Sequence, residues 1–587
     1  MAFDALVAQA VALEIRELVG ARLERITQVG GEEIGFAFYG RRGRSLLFYS
    51  AHAAHARLHL VGELPSPTAP SPFALVLRRH LEGCLLEEIT LPPLERVITL
   101  HFQSPPIRGE KRYRLVAEIM GRHSNLILVE PGSGLILDGL KRYGRAVSRY
   151  REVFPGQPYL PPPSGTKADL LALREEDLGP LLLGAGWERP LEKALIQQLH
   201  GLGPQLAREV VARAGLDPNL PMEFCGSLEL ARLWQALSEI RQVLETQQFQ
   251  PTLVWDDHRP VAYAAIPLKQ YGGLRQETVP RMSLAVERFY RELQARERRE
   301  REKSRLEQLV AEQQKRWARK VALYEEALSE SRAAERYRLA GELIIANLHR
   351  LTRGMTVLEA PNPYQPDEIV RLELDPSLTP AENAQRQFKK YRKARAQAEQ
   401  AAQLLAQARE ELAYWETVQE SLERAETMED LAEIGEELAR QTAPPARPKP
   451  GAARPGTPAP LSFTSPDGYT VLVGKNNRQN DYLVARLARP EDVWLHARGF
   501  PGAHVLVRNP GGAPLPPATL EYAAGLAAFY SKARLSALVA VDYTLAKHVH
   551  KSKGARPGMV HYTHQQTILV RPLAPTGDRA TGDAGGA

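Results

Sequence analysis

From Met282 to about residue 440 the chain is dominated by Arg, Glu, Gln, Ala and Leu, and its apolar residues recur every seven positions. Val310, Trp317 and Tyr324 lie seven apart, with Val321 and Leu328 offset by four. Ala401, Ala408, Trp415 and Leu422 repeat the period, with Leu405 and Leu412 offset likewise. Such a seam is buried only against another helix. The block between the runs, from "GELIIANLHRLTRGMTVLEAPNP" to "LDPSLTPAENAQRQF", contains Gly, Pro and strand-like stretches. The chain is therefore expected to reverse there, giving an antiparallel coiled coil over 282–441 with a small tip module at about 341–382. The run "RERREREKSR" reads as the solvated face of the first arm.

A seam of this length leaves most of the 587 residues to other cores, at roughly 100–200 residues per domain. Residues 1–165 open on an amphipathic helix (Leu6, Val7, Ala10, Val11, Leu13, Leu18) and continue in strand-like runs such as "EIGFAFYG", "RVITLHF" and "NLILVEP". This predicts an α+β domain ending at the prolines of "FPGQPYLPPPSG". Residues 166–281 turn helical before a connector. There "EKALIQQLHGLGPQLAREVVARAGL" sets Gly201 and Gly203 between two helical patterns, with Pro204 suited to a first turn. The segment resembles a helix-hairpin-helix, whose glycines let backbone approach a phosphate, or else a plain helical hairpin. Residues 442–460 are a Pro-rich linker, 461–573 a second α+β domain, and 574–587 a tail expected to be disordered.

Composition narrows the function. No apolar run approaches the roughly 20 residues of a membrane span. Asp4 and Glu14 break the basic-then-apolar pattern of a signal peptide, so a cytoplasmic location is expected and no membrane partner. Two cysteines, Cys84 and Cys225, cannot form a four-cysteine zinc site. Neither a phosphate-cradling G-x-x-x-x-G-K-[ST] nor H-E-x-x-H nor G-x-S-x-G occurs. His548, His550, His561 and His564 sit among lysines without grouped carboxylates and suit polar surface or RNA contact better than a metal. No catalytic residue, metal or cofactor is expected. The net charge is +7, and residues 463–573 alone hold 13 Lys/Arg against 6 Asp/Glu. A second basic stretch runs from Arg108 to Arg151. Two separated basic modules suit a polyanion contacted at more than one point.

In the C-terminal domain, "GKNNRQND" supplies cationic and amide donors. Lys475, Asn476, Asn477, Arg478, Asn480, Trp494, His496, Arg498, Lys547, Lys551 and Lys553 could meet on one RNA-gripping face. Trp494 is expected to be partly core, His496 and Arg498 to lie at the surface. In the N-terminal domain the turn "MGRHSN" offers Arg122, His123, Ser124 and Asn125 as donors. At Glu95–Arg96 the guanidinium can bridge a phosphate or base edge while the carboxylate orients it.

The ordered series "MAFDALV", "EIMGRHSNLILV", "LDPSLTPAENAQRQFKKYRKA" and "VGKNN-QND…DVWLHA…PGAHVLVR…AAFYSKAR…VDYT" resembles the NFACT family of ribosome quality-control factors across nearly the whole chain. The resemblance implies a glycosylase-like N-terminal domain, a helix-hairpin-helix domain, the coiled coil and a C-terminal RNA-binding domain. It implies an RNA-binding factor that acts on stalled large ribosomal subunits holding peptidyl-tRNA. Such a factor recruits alanyl-tRNA and directs untemplated C-terminal alanine tails, with peptide bonds made by the ribosome. An RqcP-like small S4-domain partner is implied as well. The family's N-terminal Asp falls on Asp4, and its Asp-Arg pair for tRNA recruitment falls on Glu95–Arg96, one methylene longer in reach. Two other classes compete. A glycosylase-like DNA-binding protein would need an N-terminal proline where Ala2 stands. A fibronectin-binding surface adhesin would need an export signal and an anchor.

Overall fold

The computed structural model describes residues 3–575 apart from 147, 149, 164, 332–333 and 443–458. Most of the Pro-rich linker and most of the C-terminal tail lie outside the described residues. The chain divides into two compact units, 1–296 and 297–587.

The first unit is built on a nine-stranded antiparallel sheet. One meander runs outward from Arg22–Gly30 to the edge strand Arg57–Val61, the other from Leu85–Thr90 to the opposite edge at Ile136–Gly139. They join where Arg22 pairs with Leu85. Helix Ala5–Ile15 lies against the sheet with Leu6, Val7, Val11 and Ile15 buried in its core. The same core takes in the short helices of residues 175–246 and a three-stranded sheet spanning Thr252–Thr278. That sheet forms within the segment read as a connector. Helix Met282–Ser331 starts in this core, where the Glu14 carboxylate accepts from Ser283 N at 2.9 Å, satisfying one of the amides left open at a helix start.

In the second unit the heptad runs form the expected antiparallel pair. Arg299 donates to the Glu426 carbonyl, Gln314 to the Trp415 carbonyl and Arg409 to Glu325, so rising numbers on one arm meet falling numbers on the other. Leu306, Val310, Trp415, Val418 and Leu422 fill the seam. The chain reverses through a hairpin, Val357–Asn362 with Gln365–Glu373, and re-enters helix at Thr379, whose hydroxyl and Glu382 form a reciprocal cap. A further helix, Met428–Thr442, folds back to seat Leu431, Ile434 and Leu438 in the same seam. The heptad reading did not separate it from the arm. The C-terminal domain is a six-stranded antiparallel sheet with helix Pro517–Phe529 on one face. Trp494 is fully buried on the other.

Candidate nucleic-acid interfaces

Four sequence-distant stretches meet at one end of the large sheet. Val97 pairs with Glu118, and Ile119 N donates to the Arg96 carbonyl at 2.9 Å, so Glu95–Arg96 stands beside the "MGRHSN" turn. Asp4 caps the first helix by accepting from Val7 N at 2.9 Å. Burial pushes its carboxyl up to about 6, against the Val7 amide and the Arg96 charge, which favour the ionised form. Burial likewise pulls the Arg96 guanidinium down, opposed by Asp4 and Glu95. The fourth stretch is the glycine turn. Gly201, at φ 76°, faces Leu94 so closely that a Cβ would lie 2.7 Å from the Leu94 carbonyl oxygen. Leu94 is itself left-handed at φ 57° with its side chain buried, a conformation held only by strong surrounding contacts. His200 Nε2 lies 3.1 Å from Glu95 Oε1.

The glycine that sequence assigned to phosphate approach therefore admits the chain's own backbone. Gly203 opens on free space and caps helix Pro204–Arg213. His200 and Leu94 were not singled out from sequence. His200 is 105 residues from Glu95, and only its place beside the glycines hinted at a role.

The "MGRHSN" donors divide. Arg122 and His123 are exposed. Ser124 and Asn125 are fully buried and correct the reading of four RNA donors. Ser124 Oγ accepts from Met120 N at 2.7 Å, and Asn125 clasps both backbone atoms of Lys141 at 2.8 Å. They pin the turn and the segment after the edge strand. Arg122, His123, Lys141, Arg142 and Arg151 line a recess of about 550 Å³, and Glu95 lines another of about 640 Å³. Pro162 belongs to both walls. Arg151 is buried on Glu118, which also accepts from Tyr159 at 2.9 Å.

In the C-terminal domain the expected single face does not form. Asn476, Asn477 and Asn480 are buried, and "GKNNRQND" docks on the acidic side of helix Met428–Thr442. Lys475 pairs with Asp430, and Asn476 and Gln479 donate to Glu433 at 2.7 and 2.8 Å. Arg478 reaches Glu436 at 2.8 Å. Asn477 donates to Thr417 at 2.9 Å and to Glu437 at 3.2 Å. Asn480 accepts from His504 N at 3.0 Å and pins the domain's own loop. The reason is charge complementarity within the chain, signalled by the carboxylates of "MEDLAEIGEELAR". Lys551 pairs with Asp481, and Lys547 with Glu491 at 3.3 Å. His496 is half-buried, its ring stacked 5.8 Å from Trp494, and burial drags its pKa to about 4 against the Asp542 charge. Arg498 and Lys553 are exposed. Among the described residues no group of three or more His, Cys, Asp or Glu could hold a metal ion, and no helix is long and apolar enough to cross a membrane.

What these elements define is a chain with an N-terminal α+β region, a paired-helix arm and a separate C-terminal α+β domain. Residues 4–449 match the NFACT N-terminal and middle domains, and residues 460–563 the NFACT protein RNA binding domain. The chain belongs to the NFACT family. It is 33% identical over 98% of its length, and 99% of the relative's, to the Rqc2 homolog RqcH of Bacillus subtilis. It is 36% identical, over 12% of its length and 7% of the relative's, to the human ribosome quality control complex subunit NEMF. A crystal structure of the fibrinogen binding protein from Staphylococcus aureus aligns with 49% of this chain and 99% of that one, at 26% identity and TM-score 0.41.

Proposed function

We propose that this protein is a ribosome quality-control factor that works by binding RNA rather than by catalysis. It binds stalled large ribosomal subunits carrying peptidyl-tRNA, recruits alanyl-tRNA and directs untemplated alanine tailing of the nascent chain. Peptide bonds form in the ribosome's own centre, and an RqcP-like S4-domain protein is the expected partner. The domain boundaries proposed from sequence go with this reading, with the N-terminal and hairpin modules holding tRNA.

The observation that carries it is the convergence of Asp4, Glu95–Arg96 and the Arg122–His123 turn at one sheet end, in a chain nearly full-length similar to RqcH. Desolvation strengthens what a partly buried Arg96 can offer an RNA phosphate or base edge, because Coulomb attraction grows as water is excluded. Glu95, held by His200, keeps a carboxylate beside that guanidinium. The test is to isolate tagged protein from stressed cells and sequence the RNA that accompanies it, for wild type and Arg96→Ala. Large-subunit rRNA with alanine tRNA, the tRNA lost in the variant, is the expected result. Ribosomal RNA without selected tRNA would leave a subunit binder that does not tail.

A further inference from the structure

A recess of about 400 Å³ opens on the C-terminal domain where strand Val539–Leu545 ends, with Leu515, Leu520 and Leu545 among its apolar walls. His548 and His564 also line it, their ring centroids 4.4 Å apart and their planes 31° from parallel. His564 holds φ 56°, a left-handed conformation that a residue with a Cβ seldom adopts, and its Nδ1 lies 3.0 Å from the Thr563 hydroxyl. Two polar side chains on the wall keep unused capacity. Gln566 accepts from the Tyr543 hydroxyl, which leaves its amide N–H groups without a partner among the described residues. Asn509 donates to the Ala513 carbonyl at 2.9 Å, which leaves its side-chain oxygen without one. Lys547, adjacent to His548, is paired among the described residues with an exposed glutamate, a contact of little worth.

We propose that this recess binds one unpaired nucleotide of an RNA. The imidazoles give a stacking surface, the Gln566 donor and Asn509 acceptor address a base edge, and Lys547 is placed for the phosphate. The two imidazoles, close together but tilted by 31°, suit a planar ring better than a metal ion, which needs both lone pairs aimed at one point. A paired base in a duplex would have no free face to offer, so the ligand is single-stranded. The inference rests on the reading of this domain as an RNA gripper and names where a base enters it.

The test uses the full chain and a fluorescent single-stranded oligoribonucleotide, alongside the same backbone without bases. Wild type should bind the base-bearing oligomer about tenfold more tightly than the abasic one. The double variant His548→Ala/His564→Ala should lose that difference while binding the abasic oligomer as before. Gln566→Ala, at an exposed position where folding is not at risk, should keep affinity but flatten the preference among bases. If the double variant discriminates between the two oligomers as well as wild type does, the nucleotide assignment is overturned. Should wild type bind neither oligomer nor co-purify with ribosomal RNA, the RNA reading falls with it.

Discussion

Arg122 and His123 stand exposed on a recess whose other cations are paired, Lys141 with Glu32, Arg142 with Asp138 and Arg151 with Glu118, whereas Lys475 and Arg478 are themselves engaged by Asp430 and Glu436. In sequence the two motifs look alike, short polar runs of Arg or Lys with Asn and a turn. They differ in what the rest of the chain supplies. At the N-terminal sheet end Asp4 and Glu95 act on Arg96, while Glu118 is occupied by Arg151 and Tyr159 and leaves Arg122 to solvent. The C-terminal motif meets an amphipathic helix whose polar side is carboxylate. A cationic motif is available to a polyanion only when its own chain leaves it unneutralised.

The largest effect expected from testing this contrast is on the floor of the N-terminal recess. Arg151→Ala leaves the buried Glu118 carboxylate without its cation, and about 3–5 kcal/mol should be lost, read as amide exchange in Arg112–Glu118. A loss below about 1 kcal/mol would mean that water reaches Glu118 and the recess is not a rigid frame. On the C-terminal side, Glu433→Ala removes the acceptor shared by Asn476 and Gln479. At about 1.5–3 kcal/mol for hydrogen bonds to a charged group, exchange across Asn477–Tyr482 should speed up roughly ten- to a hundredfold. Unchanged exchange would show that the helix does not hold the motif.

A smaller effect is tied to pH. Burial pushes the Glu437 carboxyl up to about 7 from its ordinary 4.5, against the Tyr414 hydroxyl and Asn477 amide that favour its ionised form. The folded state thus takes up the proton more readily than the unfolded one, so this group adds stability as pH falls from about 7 towards 4.5 and loses it as pH rises. Protection of Met428–Thr442, corrected for intrinsic exchange, should be higher near pH 6 than near pH 8, and Glu437→Gln should flatten the difference. A slope of the opposite sign would mean that ionised Glu437 is the stabilising form.

The seam was legible because heptad spacing is local: Val310, Trp415 and Leu422 could be placed without knowing any partner. The first helix and the strands in "EIGFAFYG", "RVITLHF" and "NLILVEP" were legible for the same reason. What sequence could not give was the direction of polar side chains. Ser124 and Asn125 turn inward while Arg122 and His123 turn out, although all four side chains carry donors. Asn477 meets Thr417 across 60 residues and His200 meets Glu95 across 105, so neither contact leaves a periodic trace. The helix Met428–Thr442 was hidden by its composition, which continues that of the arm it folds back on.

The most direct measurement is the affinity of the full chain for alanine tRNA, taken side by side for wild type, Arg96→Ala and Arg478→Ala. The account predicts a loss of at least tenfold for Arg96→Ala and less than about twofold for Arg478→Ala, whose guanidinium is already spent on Glu436. Equal losses in the two variants, or a loss confined to Arg478→Ala, would contradict it.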